Sequence, residues 1–373
     1  MPPTSNDLQN LHFGAYESQT KRVRIIKFNE DKPVLRHDEK KQVSFLNILI
    51  RIVNKCWLSV KQTAGNNKHN AKIISSTRYQ STQTESKPVT FNYSYNFKIF
   101  EEDYDKLKPV EIFKYGSSKY KNPVFMFPGF EGRAKYVEEL IRNLKRTVYC
   151  FQYPFEKTPS NVATVVDDLY PIMDEYARKL QNVNIVAHSY GGLIAMKLIS
   201  RLESQSKQNV RLCLIDSSPF AIKYMIEKTY GSICERNEFE NTMLFKFLNW
   251  MKLDNVEQFY EAIEKCENWE TKLNMVLDNV PDHPEFNKIN IRIVLQAIYR
   301  VSEAIQLYDD NFGKLTTKTT LVRPTVKVLP LPDDFQIQKH FTQPVTTLFT
   351  EGTHFNMLKF EKTADLINEG LEI

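Results

Sequence analysis

Short apolar runs alternate with segments of helical periodicity along the chain from about residue 108 onward. Four of these runs, at 123–127, 147–151, 183–187 and 210–215, each have the length of one buried strand. The helical segments between them predict right-handed crossovers and therefore a mostly parallel sheet. Ligands bind such a sheet at the carboxyl ends of its strands, so we expect the functional residues there.

The alternation is interrupted at 217–316, where the spacing of apolar residues is almost entirely helical. It resumes with strands at 318–323 and 345–350 and ends with a helix from about residue 355. A helical block inserted late in such a sheet predicts an α/β-hydrolase fold with a helical lid. Three apolar stripes at helical spacing lie in this lid: Met243, Leu244, Phe247, Leu248 and Met251; Val256, Phe259, Tyr260 and Ile263; Val294, Leu295, Ile298, Val301 and Ile305. They either pack on one another or line an apolar groove, and the sequence leaves both possibilities open.

The first 107 residues have a different composition. Residues 62–90 are rich in Ser, Thr, Asn and Gln, which predicts a linker because such a stretch buries too little apolar surface to fold alone. Residues 1–80 contain 14 Lys/Arg and 6 Asp/Glu, a net charge of +8 within a chain whose total is +5. We therefore predict a basic, partly disordered segment at 1–107 and a hydrolase domain at 108–373. The basic residues favour a solvated arm, with an acidic partner or a membrane surface as the alternative.

Several classes of protein are disfavoured by the composition. The five cysteines include no CxxC pair and no Cys/His metal spacing, and their odd number argues against a complete disulfide framework. The apolar stretch at 43–60 contains Asn47, Arg51 and Lys55, which favours an amphipathic helix over a membrane span. The first ten residues are polar, so we expect no signal peptide. We expect a cytoplasmic protein without cofactor, metal, nucleic-acid partner or transmembrane segment.

The sequence AHSYG at 187–191 lies between an apolar strand and an apolar helix. This context is typical of a nucleophile elbow, a sharp strand-to-helix turn that exposes the hydroxyl of its serine, here Ser189. The usual pattern is G-x-S-x-G, and Ala187 replaces its first glycine by adding one methyl group. The alternative interpretation is a serine in an ordinary strand-to-helix turn.

A serine nucleophile needs a general base, and in this fold the base follows the last strand of the sheet. His354 occupies that place, directly before the last predicted helix. His340 lies in a polar stretch and His283 lies beside prolines, so both are expected at the surface. His188 is adjacent to the nucleophile and is expected to point elsewhere.

The base needs an orienting acid, for which the topology leaves two positions open. Asp216 ends the strand that follows the elbow helix, and Asp333 and Asp334 follow the next strand after a longer loop. Many α/β-hydrolases use the later position. Asp216 could also be a residue that only caps a turn at the strand end.

Four stretches together resemble one family: PVFMFPGFEG at 123–132, VAHSYGG at 186–192, LCLIDSSP at 212–219 and TEGTHFNML at 350–358. Their content, order and spacing are similar to the thioesterase domain of animal fatty acid synthases and to the related domains of polyketide and peptide synthetases. The resemblance covers roughly 108–373. The sequence FPG at 127–129 departs from the His-Pro of many members.

The resemblance implies that Asp216 is the acid and that the backbone N–H groups of Phe130 and Tyr190 bind the oxyanion. It further implies a hydrolase of fatty acyl thioesters whose partner is an acyl carrier protein bearing the acyl chain on phosphopantetheine. Residues 1–107 contain no phosphopantetheine attachment motif of the Asp-Ser-Leu type. The chain is thus expected to be a free-standing thioesterase or part of a synthase terminus.

Three other functions are compatible with parts of this pattern. A lipase or carboxylesterase would use the same residues on an oxygen ester. A free-standing editing thioesterase would share the chemistry and differ only in its partner. A non-catalytic interaction protein on a hydrolase scaffold would usually have lost one of Ser189, His354 and the acid.

Overall fold

The computed structural model describes residues 23–27, 110–116, 122–153, 161–205, 209–251, 256–280, 288–327, 330–354 and 356–372. The helix predicted at 43–60, the linker predicted at 62–90 and His283 lie outside the described residues.

Eight strands form one sheet in the order β1-β2-β4-β3-β5-β6-β7-β8. Their bounds are Val23–Lys27 (β1), Val110–Tyr115 (β2), Val124–Phe127 (β3), Val148–Gln152 (β4), Asn182–His188 (β5), Asn209–Ile215 (β6), Lys318–Pro324 (β7) and Thr346–Thr350 (β8). Every neighbouring pair from β4 to β8 is parallel. This result confirms the predicted mostly parallel sheet.

The β1–β2 edge of the sheet differs from the expectation that all strands follow Lys108. Strand β1 pairs in parallel with β2, and β2 pairs antiparallel with β4, so β1 and β2 run against the other six strands. Neither was predicted, because each is a short run in a polar or charged stretch. Residues 23–27 therefore join the same sheet as the later strands, while the proposed domain boundary at 107/108 stays a prediction.

Helices follow the strands and cover the sheet. The bounds outside the insertion are Glu138–Asn143 (α1), Val162–Lys179 (α2), Gly191–Gln205 (α3) and Glu361–Leu371 (α9). Within the insertion they are Pro219–Tyr230 (α4), Arg236–Met251 (α5), Val256–Glu264 (α6), Trp269–Asn279 (α7) and Lys288–Gln306 (α8). The predicted helical character of 217–316 agrees with these five helices, which we call the lid.

Alternate residues of the central strands face two separate apolar clusters. Phe125 and Phe127 of β3 belong to a cluster that contains α2, α3 and the lid, whereas Val124 and Met126 belong to one that contains α1 and α9. All four residues are fully buried. Burial on both faces explains why β3 has a continuous apolar run instead of an alternating one.

The lid contains its own buried polar cluster. The Lys272 ammonium, which is 0% exposed, donates to Glu240 at 2.9 Å and to the Asn237 side chain at 2.5 Å. The Tyr299 hydroxyl donates to the other Glu240 oxygen at 3.1 Å and accepts from Arg236 at 2.5 Å. Charges buried in this way are tolerated because each has a partner.

Candidate active site

Ser189 occupies the turn between β5 and α3 in a strained backbone conformation. Its φ is 50°, a left-handed value that a non-glycine residue adopts only when the surrounding structure enforces it. Its N–H donates to the Ile215 carbonyl at 3.0 Å, and its own carbonyl accepts from the Ser217 hydroxyl at 2.6 Å. The turn is therefore fixed from the neighbouring strand β6.

The glycines after Ser189 allow a close approach between this turn and its neighbours. A Cβ on Gly191 would lie 2.3 Å from the Pro128 carbonyl oxygen, and one on Gly192 would lie 2.0 Å from the Ser217 hydroxyl. Any larger residue at either position would displace the turn. The sequence pattern of small residues beside the serine thus has a direct steric cause.

His354 lies in a short loop between β8 and α9. Asn356 stabilises this loop, because its side-chain oxygen accepts from the Thr353 N–H at 2.6 Å and from the Thr353 hydroxyl at 3.0 Å. The Met357 N–H donates to the Thr353 carbonyl at 3.0 Å. The imidazole is buried and is held at the carboxyl edge of the sheet.

Asp216 follows β6 directly and also has a left-handed φ, 45°. Its N–H donates to the Val322 carbonyl of β7 at 2.8 Å. The side chain is buried, and its Oδ2 lies 2.6 Å from His354 Nδ1. Strand β7 therefore helps to fix the backbone from which this carboxylate projects.

Ser189, His354 and Asp216 form a continuous hydrogen-bonded chain. With Nδ1–H donating to Asp216, the Nε2 of His354 accepts from the Ser189 hydroxyl, and Nε2 lies 3.1 Å from Oγ. Such an arrangement can remove the proton from a serine hydroxyl as it attacks an electrophile.

The alternative acids have other partners. Asp333, whose side chain is 61% exposed, binds the Lys327 ammonium at 2.6 Å, and this hydrogen bond lowers the pKa of its carboxyl. The Asp334 carboxylate accepts from the Gln336 N–H at 3.1 Å. Of the three candidate acids, Asp216 is the one whose carboxylate contacts His354 among the described residues.

Phe130 and Tyr190, the predicted oxyanion donors, lie in adjacent turns at the ends of β3 and β5. The register of these strands pairs Phe127 with Ala187, so the two turns leave the sheet side by side. Both residues are buried. The role of their N–H groups stays a prediction.

Two buried polar side chains lie beneath these turns. Within the described part of the chain, neither oxygen of Glu131 has a hydrogen-bond partner from another residue, and His188 Nδ1 has none either. Both groups flank Gly129, because a Cβ placed there would be 2.8 Å from His188 Nδ1 and 3.3 Å from Glu131 Oε2. Burial raises the pKa of the Glu131 carboxyl to about 8. Burial and the neighbouring His354 lower the pKa of His188 well below its usual value.

The structure places both His188 and His340 in buried positions. His188 lies beneath the site, where its Nε2 is 3.3 Å from the His354 carbonyl oxygen and acts as the donor. His340 was expected at the surface, which is wrong: it is 6% exposed, stacks on Phe312 and lies 3.6 Å from Asp310. The apolar partner Phe312 comes from a distant segment, so the local polar sequence gave no sign of this burial.

Arg323 contacts the Asp216 carboxylate but was not among the residues predicted from the sequence. It lies near the end of β7, is 3% exposed at the side chain, and places Nε 3.4 Å from Asp216 Oδ1. The available signal was a charged residue at the end of the strand predicted at 318–323, directly after Leu321 and Val322. An arginine in a buried strand needs a buried partner, and strand ends are where such partners lie.

Neither a metal site nor a membrane-spanning helix is found in the part of the chain that the structure describes. No three His, Cys, Asp or Glu side chains come together there as metal ligands. None of the helices described is long and apolar enough to cross a bilayer.

Comparison with known proteins identifies the family. The sequence profile described as "Thioesterase domain" matches residues 122–371, more than half of the chain. The chain belongs to the thioesterase-domain family. The match of this thioesterase domain includes β3 to β8, the lid, and the residues of the hydrogen-bonded chain.

Several solved structures are similar to this thioesterase domain at low sequence identity. A four-domain nonribosomal peptide synthetase, AB3403, matches 73% of the chain at 15% identity with a TM-score of 0.51, and the chain spans 21% of that synthetase. The type II thioesterase BorB of the borrelidin biosynthetic cluster matches 70% at 17% identity and a TM-score of 0.47, with 97% of BorB covered. An esterase from a marine microorganism matches 70% of the chain at 17% identity with a TM-score of 0.44, and 98% of that esterase is covered. No curated protein matches the chain. The predicted α/β-hydrolase fold is confirmed.

Proposed function

We propose that this thioesterase domain hydrolyses fatty acyl thioesters through a serine acyl-enzyme, with Ser189 as nucleophile, His354 as general base and Asp216 as orienting acid. The observation that carries the proposal is the pair of contacts at His354: 3.1 Å from Nε2 to Ser189 Oγ and 2.6 Å from Nδ1 to Asp216 Oδ2. Both distances suit proton transfer and imidazole orientation.

The first half of the reaction forms the acyl-enzyme. Ser189 Oγ attacks the thioester carbonyl while His354 Nε2 takes the hydroxyl proton, and Asp216 stabilises the resulting imidazolium. The backbone N–H groups of Phe130 and Tyr190 bind the oxyanion, an interaction worth roughly 3–4 kcal/mol for each donor in comparable enzymes. When the tetrahedral intermediate collapses, the C–S bond breaks and the thiolate leaves with the proton from His354.

The second half releases the fatty acid. Water attacks the serine ester as His354 removes one of its protons, and a second oxyanion forms in the same place. Collapse breaks the bond between the acyl carbon and Ser189 Oγ, and the proton returns from His354 to the serine. The thiol has a pKa of about 8.5, so it departs more easily than an alkoxide and needs less help from a general acid.

The proposal also includes a substrate class, fatty acyl thioesters carried by an acyl carrier protein. The stretches at 186–192 and 350–358 resemble the thioesterase of animal fatty acid synthases, which favours an acyl chain carried on the phosphopantetheine of an acyl carrier protein. The apolar side chains of the lid helices α5 and α8 are buried in the cluster that covers the sheet, so an acyl chain that enters between these helices would meet apolar surface. Each methylene that a chain buries would contribute roughly 0.8 kcal/mol to binding. A cytoplasmic location is part of the same proposal.

The decisive experiment measures hydrolysis of matched acyl thioesters and oxygen esters by the full chain and by Ser189→Ala. We expect the thioester to be hydrolysed faster, the alanine variant to be inactive, and a fluorophosphonate probe to label Ser189 alone. A preference for the oxygen ester would indicate a lipase or carboxylesterase. Absence of both labelling and hydrolysis would indicate a non-catalytic protein on this scaffold.

A further inference from the structure

Arg323 is a buried cation in direct contact with the acid of the proposed triad. Its side chain is 3% exposed and lies next to Val322, which is fully buried. Removing a guanidinium from water is costly unless its N–H groups find acceptors. The contacts that compensate this cost therefore indicate what Arg323 does in the folded chain.

The guanidinium joins Asp216 to the loop that follows β7. Nε lies 3.4 Å from Asp216 Oδ1, and a terminal nitrogen donates to the carbonyls of Pro332 and Asp333 at 2.8 and 2.9 Å. The planar group also covers the ring of Phe335, with the central carbon 3.5 Å from the ring centroid. Arg323 is thus held by Phe335 on one face and by acceptors at both Nε and a terminal nitrogen of its guanidinium.

The two oxygens of Asp216 have different partners as a result. Oδ2 accepts from His354 Nδ1 at 2.6 Å, whereas Oδ1 faces Arg323 at 3.4 Å. The backbone N–H of Asp216 is held by the carbonyl of Val322, the residue before Arg323 in β7. Strand β7 therefore determines both the main-chain position and the side-chain direction of this carboxylate.

We propose that Arg323 is a positioning residue for the hydrolysis: it holds Asp216 in the orientation that faces His354, and its charge limits how tightly the imidazole keeps its proton. The inference rests on the proposed function, in which Asp216 and His354 act as acid and base. Without the guanidinium charge, the Asp216 carboxylate would favour the imidazolium more strongly. The base would then remain protonated, and inactive, up to a higher pH.

Other titratable groups also face this pair or Arg323. His354 faces Asp216, the Ser189 hydroxyl and the ring of His188, whose centroid lies 4.9 Å away. Arg323 also faces the Asp333 carboxylate at 3.8 Å, and that carboxylate is bound to Lys327 at the surface. Among these groups, Arg323 is the buried permanent cation, and it contacts Asp216 directly.

The test compares the full chain with two variants. Arg323→Met removes the positive charge, whereas Arg323→Lys keeps the charge but lacks the planar guanidinium that donates to several acceptors at once. The readouts are kcat, KM and the pH dependence of kcat/KM on a soluble acyl-CoA, together with the pH dependence of fluorophosphonate labelling. We expect Arg323→Met to shift the acid limb of both profiles upward by about one pH unit. Its kcat should fall roughly ten- to a hundred-fold with little change in KM.

Arg323→Lys should keep the acid limb of the full chain and lose less activity. The matched control is Arg211→Met: Arg211 lies at the opposite end of β6, where it binds the Leu371 carbonyl and Glu372. This control should lower the melting temperature without moving the limb. If Arg323→Met does not fold, Arg323→Gln carries the same expectation, because its amide can still donate to a loop carbonyl.

The inference is overturned if Arg323→Met and the full chain have the same acid limb, or if the Lys and Met variants shift alike. Failure of the proposed function has a different signature, since the unmodified chain would then react neither with acyl-CoA nor with the fluorophosphonate. That second outcome overturns both proposals.

Discussion

The lid and the carboxyl edge of the sheet, here called the sheet edge, each bury a cluster of polar side chains. The two clusters differ in how many of their polar atoms have hydrogen-bond partners. In the lid, the Lys272 ammonium and both oxygens of Glu240 have hydrogen-bond partners. At the sheet edge, Glu131 and His188 Nδ1 have none from other residues in the part of the chain described. Buried polar groups that lack partners cost free energy, and in natural proteins such groups concentrate where function constrains the sequence.

This difference indicates that the two clusters serve different purposes. The lid cluster connects α5, α7 and α8 through complementary charges, which fixes the arrangement of three helices. The sheet-edge cluster contains left-handed backbone at Ser189 and Asp216, and a carboxyl group whose pKa is raised by burial. We therefore expect substitutions in the lid cluster to change stability, and those at the sheet edge to change activity or the pH dependence of activity or stability.

The largest effect is expected for Asp216→Asn. The amide cannot hold His354 in the tautomer that leaves Nε2 free to accept the serine proton, so kcat should fall roughly a thousand-fold or more. The matched controls are Asp333→Asn and Asp334→Asn, whose carboxylates contact Lys327 and the Gln336 N–H. Steady-state hydrolysis by the three variants tests the comparison. A loss of activity in a control variant, with Asp216→Asn active, would transfer the role of acid to the later strand.

Lys272→Met should have the opposite profile, a large effect on stability and a small one on turnover. Removing the cation leaves Glu240 charged and buried, and breaking such a pair costs roughly 3–5 kcal/mol. The free energy of unfolding is measured by urea denaturation at neutral pH. The double variant Lys272→Met/Glu240→Gln should recover much of the loss, because no unpaired charge remains. If turnover falls as steeply as stability in the folded protein, the lid cluster also contributes to the site.

Glu131→Gln is expected to have a smaller effect that depends on pH. The folded chain holds the Glu131 proton up to a pKa of about 8, whereas the unfolded chain releases it near 4.5. Between these values the folded state binds more protons, so this carboxyl makes stability fall as pH rises. The glutamine variant lacks this dependence and should gain in relative melting temperature from about pH 4.5 to pH 8. A constant difference across that range would contradict the buried, protonated state of Glu131.

The sequence was sufficient for the central features of the fold because they depend on local patterns. The continuous apolar run of β3, the small residues around Ser189 and the helical spacing of the lid all have direct local causes. The strand β1 could not be predicted in this way, since its five residues gain their ladder hydrogen bonds only from the distant β2.

The features of the candidate site also divide into those that local sequence predicts and those that depend on distant contacts. Ser189 and His354 follow from strand ends and residue type, and Asp216 was favoured over Asp333 by the family resemblance. The contact of Arg323 with Asp216 and the placement of Glu131 and His188 beside Gly129 required coordinates, because each brings together residues that are more than 50 positions apart. Only the folded chain brings such residues to one edge of the sheet.

The smallest effect on turnover is expected from removing residues 1–107. Both polar clusters, and the residues matched by the thioesterase profile, lie after Lys108. A chain that begins at Lys108 would lose β1 and expose the edge of β2, so its melting temperature should fall. Hydrolysis of a small soluble acyl thioester should nevertheless keep its kcat, since β1 is separated from β5, which ends at the site, by three strands. The measurement compares kcat and soluble yield with those of the full chain. Aggregation, or a loss of kcat in the soluble protein, would indicate that the N-terminal segment belongs to the catalytic fold and that 107/108 is not a domain boundary.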